Sequence, residues 1–291
     1  MKEGRALARF GALRTALALV ALVTACASGP RLEPWERRLS GDAIVLLGEV
    51  HDDAEQHRLH LALLRRAFAA GWRPAIAMEQ LDRERQPEIE RARRERPGDV
   101  QHVIDLAAPE KDWNWDFYRP FVALALEFDV PLIAANLSRA AAKRIAHDGY
   151  TAVFDAATLA ALGLDRPIAS DWQAAQEREI DAGHCHALPP ASWPAMARVQ
   201  FARDAVMAAV LREHAPRGVV LLAGNGHVRR DLGVPRWLTK AQQGRAFAVG
   251  YLEEGDPAAP AAAFDAVVST PRPKRSDPCA AFARPPRAPS P

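Results

Sequence analysis

The sequence is poor in cysteine, in net charge and in long apolar runs. Only three of its 291 residues are cysteines. Once Cys26 is set aside, one internal disulfide between Cys185 and Cys279 could form if the protein is exported. Lysine and arginine total 38 and aspartate and glutamate 36, so the chain lacks the basic field that holds a phosphate backbone. We therefore exclude nucleic acid as a partner.

The first 25 residues have the pattern of a secretory signal. A basic start that includes Lys2 and Arg5 precedes an apolar stretch at residues 15–23, which is too short to span a bilayer as a mature helix. The closing "VTAC" resembles the lipobox of bacterial lipoproteins, in which Cys26 becomes the lipidated first residue. The alternative is an ordinary secretory signal with an unmodified cysteine. Ala27 gives no acidic inner-membrane retention signal, so we predict an exported protein that is lipid-anchored to the outer membrane.

The predicted mature chain divides into a linker, one domain and a tail. Its 34 basic and 35 acidic side chains give a net charge of −1. Residues 26–38 are assigned to the lipid-anchored linker, and residues 39–254 to one large domain with room for a substantial core. Residues 255–291 are rich in proline and alanine and are expected to be mostly irregular, although "FDAVVST" can add a short strand.

Within the domain, short apolar runs alternate with helical periodicity. A first helix is predicted from Asp53, a suitable N-cap, to Gly71, and others at residues 117–128 and 193–213. Residues 139–190 form a largely helical insertion. Strand, helix, strand order indicates an α/β fold, with a mainly parallel central sheet flanked by helices. The predicted strands are Ala43–Leu47, Ala75–Met78, Pro131–Ala134, Gly218–Ala223 and Ala246–Tyr251.

Four of these strands end in polar residues, within "GEVHD", "MEQ", "AANLSR" and "AGNGH". Binding residues of parallel sheets gather at the carboxyl ends of the strands, so these groups are expected to converge. Two carboxylates and two imidazoles can bind a divalent metal or act as general base and acid. The alternative is that each of these Glu and His side chains only caps a neighbouring helix or forms hydrogen bonds with a buried loop. The residues expected to converge are Glu49, His51, Glu79, Asn136, Asn225 and His227.

Two helices offer further polar groups to this site. In "QFARDAVMAAVL", Arg203 and Asp204 interrupt an apolar helix, and we expect Arg203 to meet Glu49, Glu79 or an anionic ligand group, unless it lies on the surface. On the first helix, His57 could face the site, whereas His60 is expected to face solvent.

Two other segments carry possible ligand-binding groups. "GHCHALPP" offers His184, Cys185 and His186 as ligands for a metal or haem, although adjacent side chains rarely point the same way. The aromatic segment "DWNWDFYRPFVALA" is typical of a helix packed on a sheet, and a flat apolar ligand is the alternative.

Seven motifs, taken together, carry a resemblance. They are "VLLGEVHDDAEQHRLHLALL", "AMEQ", "WNWDFYRPFVALA", "PLIAANLSR", "GHCHALPP", "MARVQFARDAVMA" and "LLAGNGHVRRDLGVPRWL". In this combination the sequence resembles the ChaN family of haem-binding lipoproteins in the Tiki superfamily. The resemblance extends from about Leu39 to about Glu253. It implies haem binding in iron uptake, a homodimer enclosing stacked haems, and iron held by a tyrosine. The candidates are the only tyrosines in the chain, Tyr118, Tyr150 and Tyr251.

The same resemblance implies an alternative, because the superfamily also contains metal-dependent hydrolases. Glu49, His51, Glu79 and His227 would then be the catalytic or metal-binding set, supported by His57, Asn136, Arg203, Asp204 and Asn225. A third hypothesis is an exported scaffold with a merely structural polar core. Haem uptake is the leading prediction, with haem, a membrane and an outer-membrane haem receptor as partners.

Overall fold

The computed structural model describes residues 35–41, 43–109, 112–255 and 261–281. The predicted signal peptide, the lipidation site Cys26 and most of the linker lie outside these ranges. Within them, no helix combines the length and the apolar character that a bilayer crossing requires.

A sheet of six parallel strands forms the centre of the fold, in the order β3-β2-β4-β1-β5-β6. The strands are β1 Ile44–Glu49, β2 Ala75–Asp82, β3 Leu132–Asn136, β4 Val219–Gly224, β5 Ala246–Glu253 and β6 Ala266–Thr270. The first five confirm the predicted strands, and β6 is the short strand expected in "FDAVVST". Every residue of β1, β3 and β4 is buried, as expected for parallel strands covered on both faces.

Helices flank the sheet and confirm the α/β prediction. They are α1 Ala54–Ala69, α2 Gln86–Glu95, α3 Val100–Ala107, α4 Trp115–Glu127, α5 Arg139–Asp148, α6 Ala156–Leu162, α7 Ser170–Gly183, α8 Trp193–His214, α9 Asn225–Val228 and α10 Lys240–Gln243. Asp53 is the N-cap of α1, since its Oδ1 accepts from the backbone N–H of Glu55 at 2.9 Å and of Gln56 at 3.2 Å. This cap starts α1 directly beyond β1 and fixes its first turn beside the strand end.

The long helix α8 joins the sheet to the helical insertion of α5 to α7. One of its faces, with Met207 and Leu211, packs in the main core against the sheet. Another face, with Ala202 and Val206, packs against the insertion. Because α8 is covered on several sides, the charged residues Arg203 and Asp204 must find polar surroundings within the protein or remain unpaired.

A disulfide between Cys185 and Cys279 links the segment after α7 to the C-terminal segment, with Cα atoms 5.5 Å apart. The sequence left this pairing open. Cys185 and His186 both have positive φ values, of 58° and 57°, so the chain turns sharply where it meets the tail. Part of the tail is therefore ordered: β6 extends the sheet, and Cys279 is tied to the insertion.

Candidate functional site

The polar ends of three adjacent strands form one site. Glu49, the last residue of β1, is in register with Gly224, the last residue of β4. Glu79 lies in β2, which is the other neighbour of β4. At Glu79 the pairing of β2 with β3 is irregular, because the register shifts between Met78 and Asp82. These positions follow from the parallel register, which brings all three carboxyl ends to one edge.

Glu49 is the most heavily surrounded group of the site and is only 2% exposed. Its Oε1 accepts from the hydroxyl of Tyr118 at 2.7 Å, from Nδ1 of His51 at 3.1 Å and from Nε2 of Gln80 at 3.2 Å. Three donors around one oxygen fix the carboxylate in place and favour its ionised form.

The second oxygen of Glu49 faces two buried histidines of α1. Nδ1 of His57 lies 3.4 Å and Nδ1 of His60 3.7 Å from Oε2. The prediction that His60 faces solvent is wrong, because His60 is fully buried and its ring lies edge-on to Tyr251 with centroids 4.2 Å apart. Residues three apart share one helix face, so the face that brings His57 to Glu49 brings His60 as well.

Glu79 organises the other half of the site. Its Oε2 accepts from the backbone N–H of Gly224 at 2.7 Å, and its Oε1 lies 3.4 Å from Nε2 of His227. The other ring nitrogen of His227, Nδ1, pairs with Oδ1 of Asp204 at 2.6 Å. His51 stands between the two halves, with its Nε2 3.9 Å from Glu79. Carboxylates and imidazoles thus alternate from Asp204 to Glu49.

Both glutamates are held as carboxylates in spite of burial. Burial raises the pKa of Glu49, but His51, His57 and His60 outweigh it and hold the pKa well below its usual range. Burial also raises the pKa of Glu79, yet the charge and hydrogen bond of His227 lower it to about 2. The site therefore keeps two fixed negative charges over the whole neutral range.

The imidazoles respond to these charges. Burial lowers the pKa of His227, but Glu79 and Asp204 raise it to about 10. Burial raises the pKa of Asp204 to about 6, and His227 opposes that rise. Burial lowers the pKa of His51, while Glu49 and Glu79 together raise it above its ordinary value. His51 is thus the group that can exchange a proton with a molecule bound beside it.

A cavity of about 460 Å³ opens on this site. The side chain of His51 is 41% exposed and lines it, together with Ile180 and His184 of the insertion and Leu252 of β5. His184 bonds through Nδ1 to the carbonyl of Ile180 at 2.7 Å. Of the predicted "HCH" ligands only His184 lines this cavity, because Cys185 is in the disulfide and the exposed His186 pairs with Asp181.

The two asparagines predicted at strand ends support the backbone. Asn225 donates from Nδ2 to the carbonyl of Tyr251 at 2.6 Å and accepts from its N–H at 3.2 Å, which ties the end of β4 to β5. Asn136 accepts from the N–H of Leu137 at 2.8 Å. Gly48 is needed for close approach, since a Cβ there would lie 2.3 Å from Oδ1 of Asn225.

Arg203 does not meet Glu49 or Glu79, so the prediction of these two partners is wrong, while that of an anionic ligand group stays a prediction. Among the residues that the structure describes, no carboxylate forms an ion pair with it, and its Nε is buried without a hydrogen-bond acceptor. Successive residues on a helix point about 100° apart, so when Asp204 faces His227, Arg203 is turned away. It lines a different cavity, beside Asn136 and Gln80.

The three tyrosines have different environments. Tyr118 is fully buried, and its hydroxyl is committed to Glu49. Tyr251 is 2% exposed. Tyr150 is half-buried in a short 3₁₀ turn between α5 and α6 of the insertion, where burial raises its pKa to about 12 in spite of the opposing charge of Arg198.

The donors around Glu49 are only partly recognisable from the sequence. The sequence points to Tyr118 as a possible iron ligand, not as a donor to Glu49, and gives no sign of the role of Gln80. The strand period of two does not reveal which neighbours a buried carboxylate will recruit. The spacing of His57 and His60, however, is a signal that could have identified the second histidine.

Within the described ranges, no group of three or more His, Cys, Asp or Glu side chains is arranged to hold a metal ion. Both ring nitrogens of His227 face carboxylates, and Nδ1 of His51 is bonded to Glu49. The residues predicted as metal ligands are therefore paired with one another, and as arranged they do not fit a divalent cation.

Comparisons with known proteins agree with this architecture. Residues 35–238 match the family model described as "Haem-binding uptake, Tiki superfamily, ChaN". A solved structure with cofacial haem binding, ChaN of Campylobacter jejuni, is 20% identical over 77% of this chain and 88% of that chain, with a TM-score of 0.61.

Two other solved structures are more distant. An erythromycin esterase, EreC, in its open conformation is 14% identical over 75% of this chain and 72% of its own, with a TM-score of 0.45. The type III effector HopBA1 is 10% identical over 79% of this chain and 88% of its own, with a TM-score of 0.39. No curated protein matches the sequence.

Proposed function

The chain belongs to the ChaN family of haem-binding uptake proteins in the Tiki superfamily, and from that premise we propose that it is an exported lipoprotein that carries haem during iron uptake. The family match over residues 35–238 carries the proposal, because it includes every strand end of the site. The signal-like residues 1–25 and Cys26 support export and a lipid anchor at the outer membrane.

Haem is the cargo of such a carrier, and its iron needs an accessible side chain. Haem iron is held in proteins by His, Cys, Met or Tyr. Among the three tyrosines Tyr150 is the accessible one, since Tyr118 and Tyr251 are buried in the domain. Iron would favour the tyrosinate form and would have to overcome the raised pKa of this phenol. We therefore propose Tyr150 as the iron ligand.

The position of Tyr150 suits a haem shared between two copies of the chain. A half-buried side chain gives haem one protein face, and a second protein or a second haem must cover the other. Haem binding to ChaN of Campylobacter jejuni is cofacial. By analogy, we propose a homodimer that encloses stacked haems and passes them to or from an outer-membrane haem receptor.

A haemin titration tests this proposal, with the Soret band and the size of the complex followed together. We expect saturable binding, a tyrosinate-type ferric spectrum and dimerisation. Tyr150→Phe should lose that spectrum, whereas Tyr251→Phe, a matched change at a buried tyrosine, should keep it. Folded protein that shows no saturable binding would refute the carrier role, and an unchanged Tyr150→Phe spectrum would refute the assignment of the ligand.

The alternative function is hydrolysis, and the exposed edge of His51 favours it. Glu49 holds Nδ1 of His51, the imidazole faces a cavity of about 460 Å³, and Glu49 and Glu79 raise its pKa above the ordinary value in spite of burial. Such a histidine can act as general acid or base on a bound ester. A divalent cation at His51, Glu79 and His227 would require the present pairs to open. Ester hydrolysis that is lost in His51→Gln, with haem binding retained, would establish this second role.

A further inference from the structure

A second cavity, of about 300 Å³, shares no lining residue with the one that His51 lines. It is bounded by the ends of β2 and β3, by the segment before α4 and by α8. Trp113 lines this cavity and lies edge-on to the His51 ring, with centroids 4.8 Å apart. The proposed haem transport uses none of the groups that line it.

Two buried polar atoms of residues that line this cavity lack hydrogen-bond partners within the described part of the chain. They are Nε of Arg203, a donor, and Oε1 of Gln80, an acceptor. Gln80 is only 3% exposed, and its Nε2 is committed to Glu49, which fixes the side of its amide that bears the free oxygen. A buried polar group without a partner is costly and rare, so a donor and an acceptor at one cavity indicate a complementary ligand.

The charges around the cavity favour an anion. Arg85, Arg139 and Arg203 line it together with Asp82 and Asp112. Arg85 lies 4.0 Å from Glu88, outside the lining, whereas no described carboxylate forms an ion pair with Arg203. Arg139 lies 3.0 Å from Asp112, so that pair is largely neutralised. A guanidinium matches the two oxygens of a carboxylate better than it matches any other common anion except phosphate.

We propose that this cavity binds a small hydroxycarboxylic acid. The carboxylate of the acid accepts from the guanidinium of Arg203, and the hydroxyl of the acid donates to Oε1 of Gln80. The volume of about 300 Å³ is at the lower end of the range for small-molecule sites and suits a molecule of this class rather than a porphyrin. This site is separate from haem transport and does not depend on it.

Calorimetric titration of the haem-free protein tests the proposal with three probes: malate, succinate, which lacks the hydroxyl, and dimethyl malate, which lacks both carboxylates. Malate should bind saturably. Succinate should bind about tenfold more weakly, because it leaves the buried oxygen of Gln80 unpaired. Dimethyl malate should give no saturable heat.

Variants assign the binding to the cavity. Arg203→Met should abolish malate binding, whereas Arg91→Met should not, since Arg91 is exposed and only lies near Glu95 on α2. Gln80→Met should reduce the difference between malate and succinate. If Arg203→Met fails to fold, the comparison of malate with dimethyl malate in the unaltered protein still decides whether the protein recognises the carboxylates.

Two results would overturn the proposal: no saturable binding of malate, or equal binding by Arg203→Met and the unaltered protein. Haem binding is measured separately. A protein that binds malate but not haemin would refute the carrier function alone, and one that binds haemin but not malate would refute this site alone.

Discussion

Nδ1 of His227 lies 2.6 Å from Oδ1 of the buried Asp204, and the imidazole, only 13% exposed, also lies beside Glu79. Two carboxylates therefore share one imidazolium, which explains why the pKa of His227 is raised to about 10. An arrangement of this kind holds the ring in one orientation and keeps its charge across the physiological pH range.

Asp204→Asn should lower the pKa of His227 and reduce the free energy of unfolding by about 1.5–3 kcal/mol, the usual contribution of a hydrogen bond to a charged group. NMR titration of the imidazole and urea denaturation measure the two effects. The matched control is Asp148→Asn: His147 and Asp148 also pair at 2.6 Å, but they are 86% and 56% exposed, so that change should cost much less stability. Equal losses would contradict the role of burial.

The stability of the protein should fall as pH rises from about 6.5 towards 10. Folding raises the pKa of His227 from 6.5 to about 10. The contribution of His227 to the free energy of unfolding is therefore fully present below pH 6.5 and is lost as the pH rises through about 10. Urea denaturation at a series of pH values measures this decline. The decline should be shallower in His227→Gln, and a slope unchanged by that substitution would contradict the assignment.

Tyr118→Phe should destabilise the protein by about 1.5–3 kcal/mol, because it removes a buried donor to the Glu49 carboxylate. The ferric haem spectrum should stay unchanged, since this hydroxyl is committed inside the domain. Tyr150→Phe should have the opposite pair of effects, with stability retained and the spectrum lost. Thermal unfolding and haemin spectra of both variants form the test, and a loss of the tyrosinate spectrum in Tyr118→Phe would exclude this division of roles.

Gly48→Ala should destabilise the protein by about 1–3 kcal/mol, the range for forcing extra volume into a packed core. The added Cβ would lie 2.3 Å from Oδ1 of Asn225, whose amide is fixed at both ends to Tyr251. Gly183→Ala is the control, since a Cβ there meets nothing within 4 Å. Melting temperatures decide, and similar values for both variants would show that Asn225 moves aside.

Reduction of the disulfide should lower the free energy of unfolding by about 2–4 kcal/mol, because the bond closes a long loop in the unfolded chain. The cysteines are 94 residues apart. Denaturation with and without dithiothreitol measures the difference. The double variant Cys185→Ser, Cys279→Ser should match the reduced protein and be insensitive to reductant, and a stability equal to that of the oxidised form would contradict the prediction.

The strands and the convergence of their ends could be predicted because both depend on local patterns. Apolar runs and an Asp53 cap are properties of neighbouring residues, and a parallel sheet then brings Glu49 and His227 to one edge. The direction of Arg203 could not be predicted, since periodicity does not say which of two adjacent charges on a helix meets the sheet.

The bond of Tyr118 to Glu49 was also beyond the sequence. It joins residues 69 positions apart, and its existence depends on how α4 is placed over β1. Local propensity carries no information on such a distance, whereas the three-residue spacing of His57 and His60 does carry information that contradicts a solvent-facing His60.

The disulfide and β6 also impose an order on biosynthesis. Cys279 and Thr270 come near the end of the chain, yet one closes a bond to the insertion and the other accepts a hydrogen bond from Gln56 at the start of α1. A nascent chain can therefore build most of the sheet before it can complete either contact. A chain that ended before β6 would have a free thiol at Cys185 and an open edge on β5.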